Sequence, residues 1–155
     1  IGIVAAAMSA GLGARTHLVA RHRHQRECAA RFGLAVDDRC PDDLNASIVV
    51  DAAGSQSSLD HAIDRVEPQG RIVSVGAAPW KPRLDERMMY KEVALLGSII
   101  YSPMDFAAAI EFLHDRRELL EALVTHRFGL ADAGRAFEIA QDRGSSGAIK
   151  VLLHP

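Results

Sequence analysis

The stretch Ser47-Ile48-Val49-Val50-Asp51-Ala52-Ala53-Gly54 decides how the chain folds. Its unbroken apolar run ends in an acid and then in small residues, the pattern of a strand buried on both faces, which is the habit of parallel sheets. Pro68-Gln69-Gly70 turns the chain into a second run of the same kind, Arg71-Ile72-Val73-Ser74-Val75-Gly76. Between them, Ser57 to Val66 places Leu59, Ala62, Ile63 and Val66 at helical spacing. A buried strand, a helix and another buried strand make one crossover unit of a parallel sheet.

The alternation continues in both directions. Upstream, Gly2 to Leu12 is small and apolar on nearly every side and reads as a buried helix, stopped by Gly13. Thr16 to Ala20 is a short β-prone run. His24 to Phe32 forms a helix with Cys28, Ala29 and Phe32 inward, closed by Gly33. Downstream come a Pro-bearing loop (77–86), a strand from Val93 to Ile100, and a helix start at Ser102-Pro103-Met104-Asp105 running to about Arg116. A strand at Val124–Phe128, a helix at Leu130–Arg143 and a last strand at Ala148–Leu153 close the chain. The predicted class is α/β with a doubly wound parallel sheet.

The 155 residues fit one domain. A net charge of -2 argues against a nucleic-acid partner, and no apolar run is long enough to cross a bilayer. Two cysteines, Cys28 and Cys40, are too few for a disulfide framework and suit a reducing, cytoplasmic setting. The first residue is Ile1, not Met, and lies inside an apolar run, so the sequence reads as a fragment.

Two stretches carry a family likeness. Ile48-Val49-Val50-Asp51-Ala52-Ala53-Gly54 with Gln69-Gly70-Arg71-Ile72-Val73-Ser74-Val75-Gly76 resembles the "VDxxG … GGRIVxVG" pair of the medium-chain dehydrogenase/reductase family, Gln69 replacing the usual first Gly. Lys91-Glu92, Leu96-Gly97-Ser98, Tyr101, Asp105-Phe106, Leu123 to Phe128 and Lys150-Val151-Leu152-Leu153 are similar to the zinc-dependent polyol, butanediol and threonine dehydrogenases. Ile1-Gly2 matches the end of that family's "GxGPIG" turn.

The resemblance implies a Rossmann-type domain (residues 1–155) lacking its first strand, most of its glycine turn and the catalytic domain that would precede it. In the strand order 3-2-1-4-5-6 the missing strand would leave Thr16–Ala20 and Ser47–Ala52 without their shared neighbour. The function it implies is hydride transfer between a nicotinamide cofactor and a secondary alcohol, diol or polyol. Catalytic zinc would be held only in the absent domain, so no catalytic or metal-binding residue is nominated here. A zinc-free quinone or enoyl reductase, a non-catalytic nucleotide sensor and a methyltransferase-type domain are the alternatives; the last is disfavoured by the helix after Leu130 and the final strand.

Cofactor-binding candidates follow from the same likeness and from the rule that ligands bind beyond the carboxyl ends of parallel strands. Ile1 and Gly2 end the phosphate turn, Gly2 allowing close packing of helix on strand. Ala53, Gly54, Val75, Gly76 and Ala77 are small residues that let a flat cofactor approach the backbone; Gly54 and Gly76 could equally be plain turn glycines. Ser98 and Ile99 approach the nicotinamide or simply extend a core strand, and Lys150 meets the pyrophosphate or only solvent. Asp51 is read as satisfying nearby loop amides.

Where a NAD-binding domain carries an acid about 20 residues past the glycine turn, this chain has Arg21-His22-Arg23-His24-Gln25-Arg26, with no acid before Glu27. Arg21, His22 and Arg26 resemble the 2′-phosphate grip of NADP-preferring polyol dehydrogenases, so NADP is expected over NAD; a solvated basic helix start is the plainer reading. The donors His22, His24 and Cys28 lack the companions of a metal site. The apolar 93–101 stretch is expected at a sheet edge, pairing two or four copies of the chain.

Overall fold

The computed structural model describes residues 1–76 and 81–155. In chain order the elements are α1 (Gly2–Gly11), β1 (His17–Val19), α2 (Arg23–Ala30), β2 (Ala35–Asp37), β3 (Ala46–Asp51), α3 (Gln56–Arg65), β4 (Val66–Ser74), α4 (Arg87–Tyr90) and β5 (Ala94–Gly97). Then follow α5 (Pro103–His114), α6 (Arg117–Leu123), β6 (Val124–Gly129), a 3-10 turn (Leu130–Asp132), α7 (Ala133–Gln141), α8 (Arg143–Ser146) and β7 (Lys150–His154). The helix starts obey local chemistry. Ser55 and Ser102 cap α3 and α5 by accepting from the amides of Ser58 and Asp105. Gly13 and Gly33, both at positive φ, follow α1 and α2. The sequence reading missed β2, α4, α6 and α8.

The chain divides into two compact units, one of residues 1–18 and 40–100, the other of residues 19–39 and 101–155. In the first, β3-β4-β5 form a parallel sheet with Val50 opposite Val73 and Val73 opposite Leu96. The helix α3 covers one face, and Leu59, Ala62, Ile63, Val66 and Ile72 make the core with Val49, Met88 and Val93 against it. Its C-terminal carbonyls, which no helix can satisfy internally, are met by Lys91, whose Nζ donates to the oxygens of Ile63, Asp64 and Val66.

The turn expected at Pro68-Gln69-Gly70 lies inside β4 as an irregularity, where a step of five positions in β4 (Val66 to Arg71) runs against a step of two in β3 (Ala46 to Ile48). Gln69 there has φ +61. A left-handed residue with a side chain is strained by about 1–2 kcal/mol, a conformation that glycine takes freely. Gln69 is held by its N–H to Lys91 O at 2.6 Å and its Nε2 to Glu92 Oε2 at 2.9 Å.

The expectation that Ser47–Ala52 is buried on both faces is corrected. Ile48 is 56% exposed and Val50 41%; Val49 between them is the residue of this strand that packs against the core under α3. The reading of Gly2–Leu12 as a helix buried on nearly every side is also corrected: Ile3, Ala6 and Ala7 are buried, while Met8 and Ala10 are exposed.

In the second unit β6 and β7 pair in parallel, with α7 against both, and Ala20 N–H donates to Asp37 O beside β2. The strands form three separate sheets, β1-β2, β3-β4-β5 and β6-β7. The first two match the two ends of the expected strand order, and no described strand bonds β1 to β3.

An unpaired β3 edge together with exposed Ile48, Val50 and Leu96 predicts that residues 1–155 expressed alone self-associate and bind hydrophobic dyes. A monomer by light scattering, with a sharp cooperative melt and dispersed amide resonances, would contradict this.

Candidate functional site

The carboxyl ends of β3 and β4 are built around Asp51, the one buried charged side chain among the described residues. A buried carboxyl group needs hydrogen-bond partners. Its Oδ1 accepts from the amides of Ala53 at 3.0 Å and Gly54 at 3.1 Å. Its own carbonyl accepts from Val75 N at 2.9 Å and Gly76 N at 3.0 Å. The role expected for Asp51, holding loop amides, is what the geometry contains.

The two turns it holds meet backbone to backbone. Gly54 has φ +66, and a Cβ built there would lie 2.6 Å from the carbonyl carbon of Gly76. A Cβ on Gly76 would lie 2.5 Å from Gly54 N. Neither place admits a side chain, so both glycines are required for close approach, and Gly54 for its left-handed turn as well. Ala53, exposed, and Val75 flank this contact; Ala77 lies outside the described residues.

Gly2 is different. A Cβ there would sit 3.6 Å from Ala52 Cβ and 3.7 Å from Leu18 Cδ1, ordinary contact distances, so the described packing does not require glycine. Ile1 precedes α1, exposed, with its carbonyl accepting from Ala5 N. The strand expected to reach Ile100 ends as β5 at Gly97. Ser98 N still donates to Ser74 O, but Ile99 lies beyond the ladder and Ile100 takes φ +66. Ile99 is therefore not a strand residue.

In the second unit, the turn between β1 and α2 carries the basic run. Arg21 is exposed, and among the described residues none pairs with its guanidinium. Arg26 Nη1 donates to the carbonyls of Ala20 and Arg21, each at 2.9 Å, so this nitrogen pins the turn. Glu27 is drawn outward to Arg23 at 2.7 Å, leaving the turn without an acid. His22, at the start of α2, stacks on His24 at 5.4 Å between ring centroids. The Nε2 of His24 is buried with no hydrogen-bond partner among the described residues. Burial foremost, and His22 next, lower its pKa. Sequence reasoning missed this stacked pair, since nothing in the spacing distinguishes it from a solvated helix start. Lys150 opens β7 with an exposed side chain.

Cys28 faces inward, its Sγ donating to Ala122 O at 3.5 Å, and burial raises its pKa. Among the described residues no group of three or more His, Cys, Asp or Glu could hold a metal ion, and no helix is long and apolar enough to cross a membrane.

Residues 1–115 match the family described as zinc-binding dehydrogenase, and the chain belongs to that family. It is 28% identical over 116 residues to a sorbitol dehydrogenase of Halalkalibacterium halodurans, covering 74% of this chain and 33% of that protein. It is 25% identical over 151 residues to L-galactonate-5-dehydrogenase of Escherichia coli K12, covering 89% and 44%. The chain spans less than half the length of the relatives it matches. Among solved structures, an alcohol dehydrogenase of Thermotoga maritima superposes with a TM-score of 0.87 at 20% identity, over 99% of this chain and 47% of that one. An Escherichia coli CFT073 alcohol dehydrogenase complexed with NADH gives 0.83 at 21% identity, over 100% and 49%. The α/β fold of these dehydrogenases and membership of the zinc-binding dehydrogenase family are thereby established.

The His24 geometry gives a pH dependence. Its folded-state pKa lies below the ordinary histidine value of about 6.5, so the unfolded chain takes up a proton first as pH falls. Stability present above pH 6.5 is then lost through the folded pKa. The thermal midpoint should drop between pH 7.5 and 5.5, and less so in His24→Phe; an equal drop in both would remove His24 as the cause.

Proposed function

We propose that residues 1–155 are the nucleotide-binding domain of a longer, cytoplasmic dehydrogenase that moves a hydride between NADP(H) and a secondary alcohol, diol or polyol. The observation that carries this reading is the contact of Gly54 with Gly76 at adjacent strand ends, a side-chain-free surface of the kind a flat ring can approach. Bound, the cofactor supplies the hydride donor or acceptor, and the domain's task is to bind and orient it. Ala53, Gly54, Val75, Gly76, Ala77 and Ser98 would serve the nicotinamide end, and Ile1 and Gly2 the pyrophosphate. Sorbitol, L-galactonate, D-xylulose and L-arabinitol stand in the names of relatives, which supports a polyol or sugar-acid substrate. No step is assigned to zinc, because no described residues fit it.

The preference for NADP rests on the turn before α2. Basic groups at a helix N-terminus oppose the helix dipole unless an anion offsets them. Arg21, with no described partner, and His22 would meet the 2′-phosphate directly. Arg26 would add its remaining nitrogens while Nη1 keeps the turn in place.

A hydrogen bond to a charged group contributes about 1.5–3 kcal/mol, so NADPH should be favoured over NADH by roughly tenfold to a hundredfold. Comparison of kcat/KM with both cofactors in the full-length protein, then in Arg21→Asp, tests it. Equal or better use of NADH by the unmutated protein ends the reading, as does an unchanged preference in the variant. Failure of hydride transfer with any polyol, despite cofactor binding, would favour a nucleotide sensor instead.

Assembly is proposed through β5, the edge of its sheet, where Leu95, Leu96, Ile99 and Ile100 are exposed. Light scattering at micromolar concentration should give a dimer or tetramer that Ile99→Asp weakens. Monomer alone in the unmutated protein would refute it.

A further inference from the structure

We infer that Asp51 is the positioning residue of the nucleotide surface proposed above; the inference rests on that reading. Four consecutive-pair amides converge on this one residue: Ala53 and Gly54 on Oδ1, Val75 and Gly76 on its carbonyl oxygen. The carbonyl bonds tie the end of β4 to β3 and need no particular side chain. The Oδ1 bonds do need one, and they hold the Ala53–Gly54 turn folded back over the strand end. That turn sets Gly54 at φ +66 and brings it against Gly76 with no room for a Cβ.

The arrangement also decides what the surface can meet. With the amides of Ala53, Gly54, Val75 and Gly76 all turned inward, none is left to donate outward. The strand ends therefore suit a ring and sugar hydroxyls, and do not suit a phosphate, which seeks clustered N–H donors. Deleting the Oδ1 acceptor frees two amides and lets the turn swing away from Gly76. The core beneath α3, formed by Leu59, Ala62, Ile63, Val66 and Ile72, does not include Asp51.

The action is that of an acceptor at one position, so Asn, which keeps Oδ1, should replace Asp51 and Ala should not. In the full-length protein, NADPH and NADH binding is titrated by nucleotide fluorescence for the unmutated chain, Asp51→Asn and Asp51→Ala. Steady-state kcat and cofactor KM, and amide exchange at Ala53 and Gly54, are read alongside. Loss of two charged-acceptor hydrogen bonds predicts that Asp51→Ala binds the preferred nucleotide at least about tenfold more weakly. Its cofactor KM should rise more than its kcat falls, and the two amides should exchange faster. Asp51→Asn should stay within about threefold on the same scale.

Unchanged nucleotide affinity in Asp51→Ala overturns the inference while leaving the functional reading intact. Failure of the unmutated protein to bind either nucleotide overturns both. Should Asp51→Ala not fold, Asp51→Asn decides: normal melting with a tenfold loss of affinity overturns the inference, and near-normal affinity with protected amides supports it.

Discussion

Parallel strands cannot be joined by a hairpin, and the ends from which their loops depart are where a sheet of this kind must be organised. Here that organisation is one residue deep. The main chain of Asp51 fastens the end of β4 to the end of β3, and its side chain fastens the turn that leads into α3. Burial of the carboxyl group is tolerable because it is hydrogen-bonded there. The start of α3 follows from this geometry: Ser55, one residue beyond the held Gly54, caps the helix that then crosses back over the sheet. At the helix's other end Lys91 satisfies three carbonyls and places the chain before β5. The glycine pair, the crossover and the neighbouring strand thus descend from one buried acceptor.

The same unit shows how unevenly a parallel sheet can be buried. The face carrying Val49 and Ile72 is closed by α3, while the face carrying Ile48, Val50 and Leu96 is open. Covered apolar area contributes about 25 cal/mol per Å², so the open face leaves stabilisation unrealised wherever nothing covers it. Strands of alternating exposure are normal in antiparallel sheets; in a parallel sheet they mark a surface that belongs against something. The apolar composition of β3 and β4 therefore reports more burial than the described residues provide.

The basic turn before α2 has a related character. Arg26 neutralises strand-end carbonyls, Arg23 is engaged with Glu27, and Arg21 has no described partner. Surface pairs such as Arg23 with Glu27 contribute little to stability, but this one removes the nearest acid from the turn. His24, buried at Nε2 without a partner, sits under the same turn and disfavours protonation there. Of the basic run, Arg26 and Arg23 are engaged locally, while Arg21 at the helix start is met by no described residue and opposes the helix dipole.

Much of this was legible from the residues. Period and composition determined the α/β class, the α3 face with Leu59, Ala62 and Ile63, and the Ser102 cap, because each depends on neighbours within one or two turns of chain; the helix start at Ser55 and the place of Val66 in β4 did not show in them. The small residues at 53–54 and 75–76 pointed to the strand ends in the same way. Tertiary structure alone decided the rest. That Gly54 and Gly76 touch, that a Gln can occupy a left-handed position when Lys91 and Glu92 hold it, that Gly2 is not sterically required, and that Ile48 and Val50 lie open are matters of which distant backbone comes close. Sequence spacing carries no record of such long-range contacts, since their free energy arises from surfaces that meet only after folding.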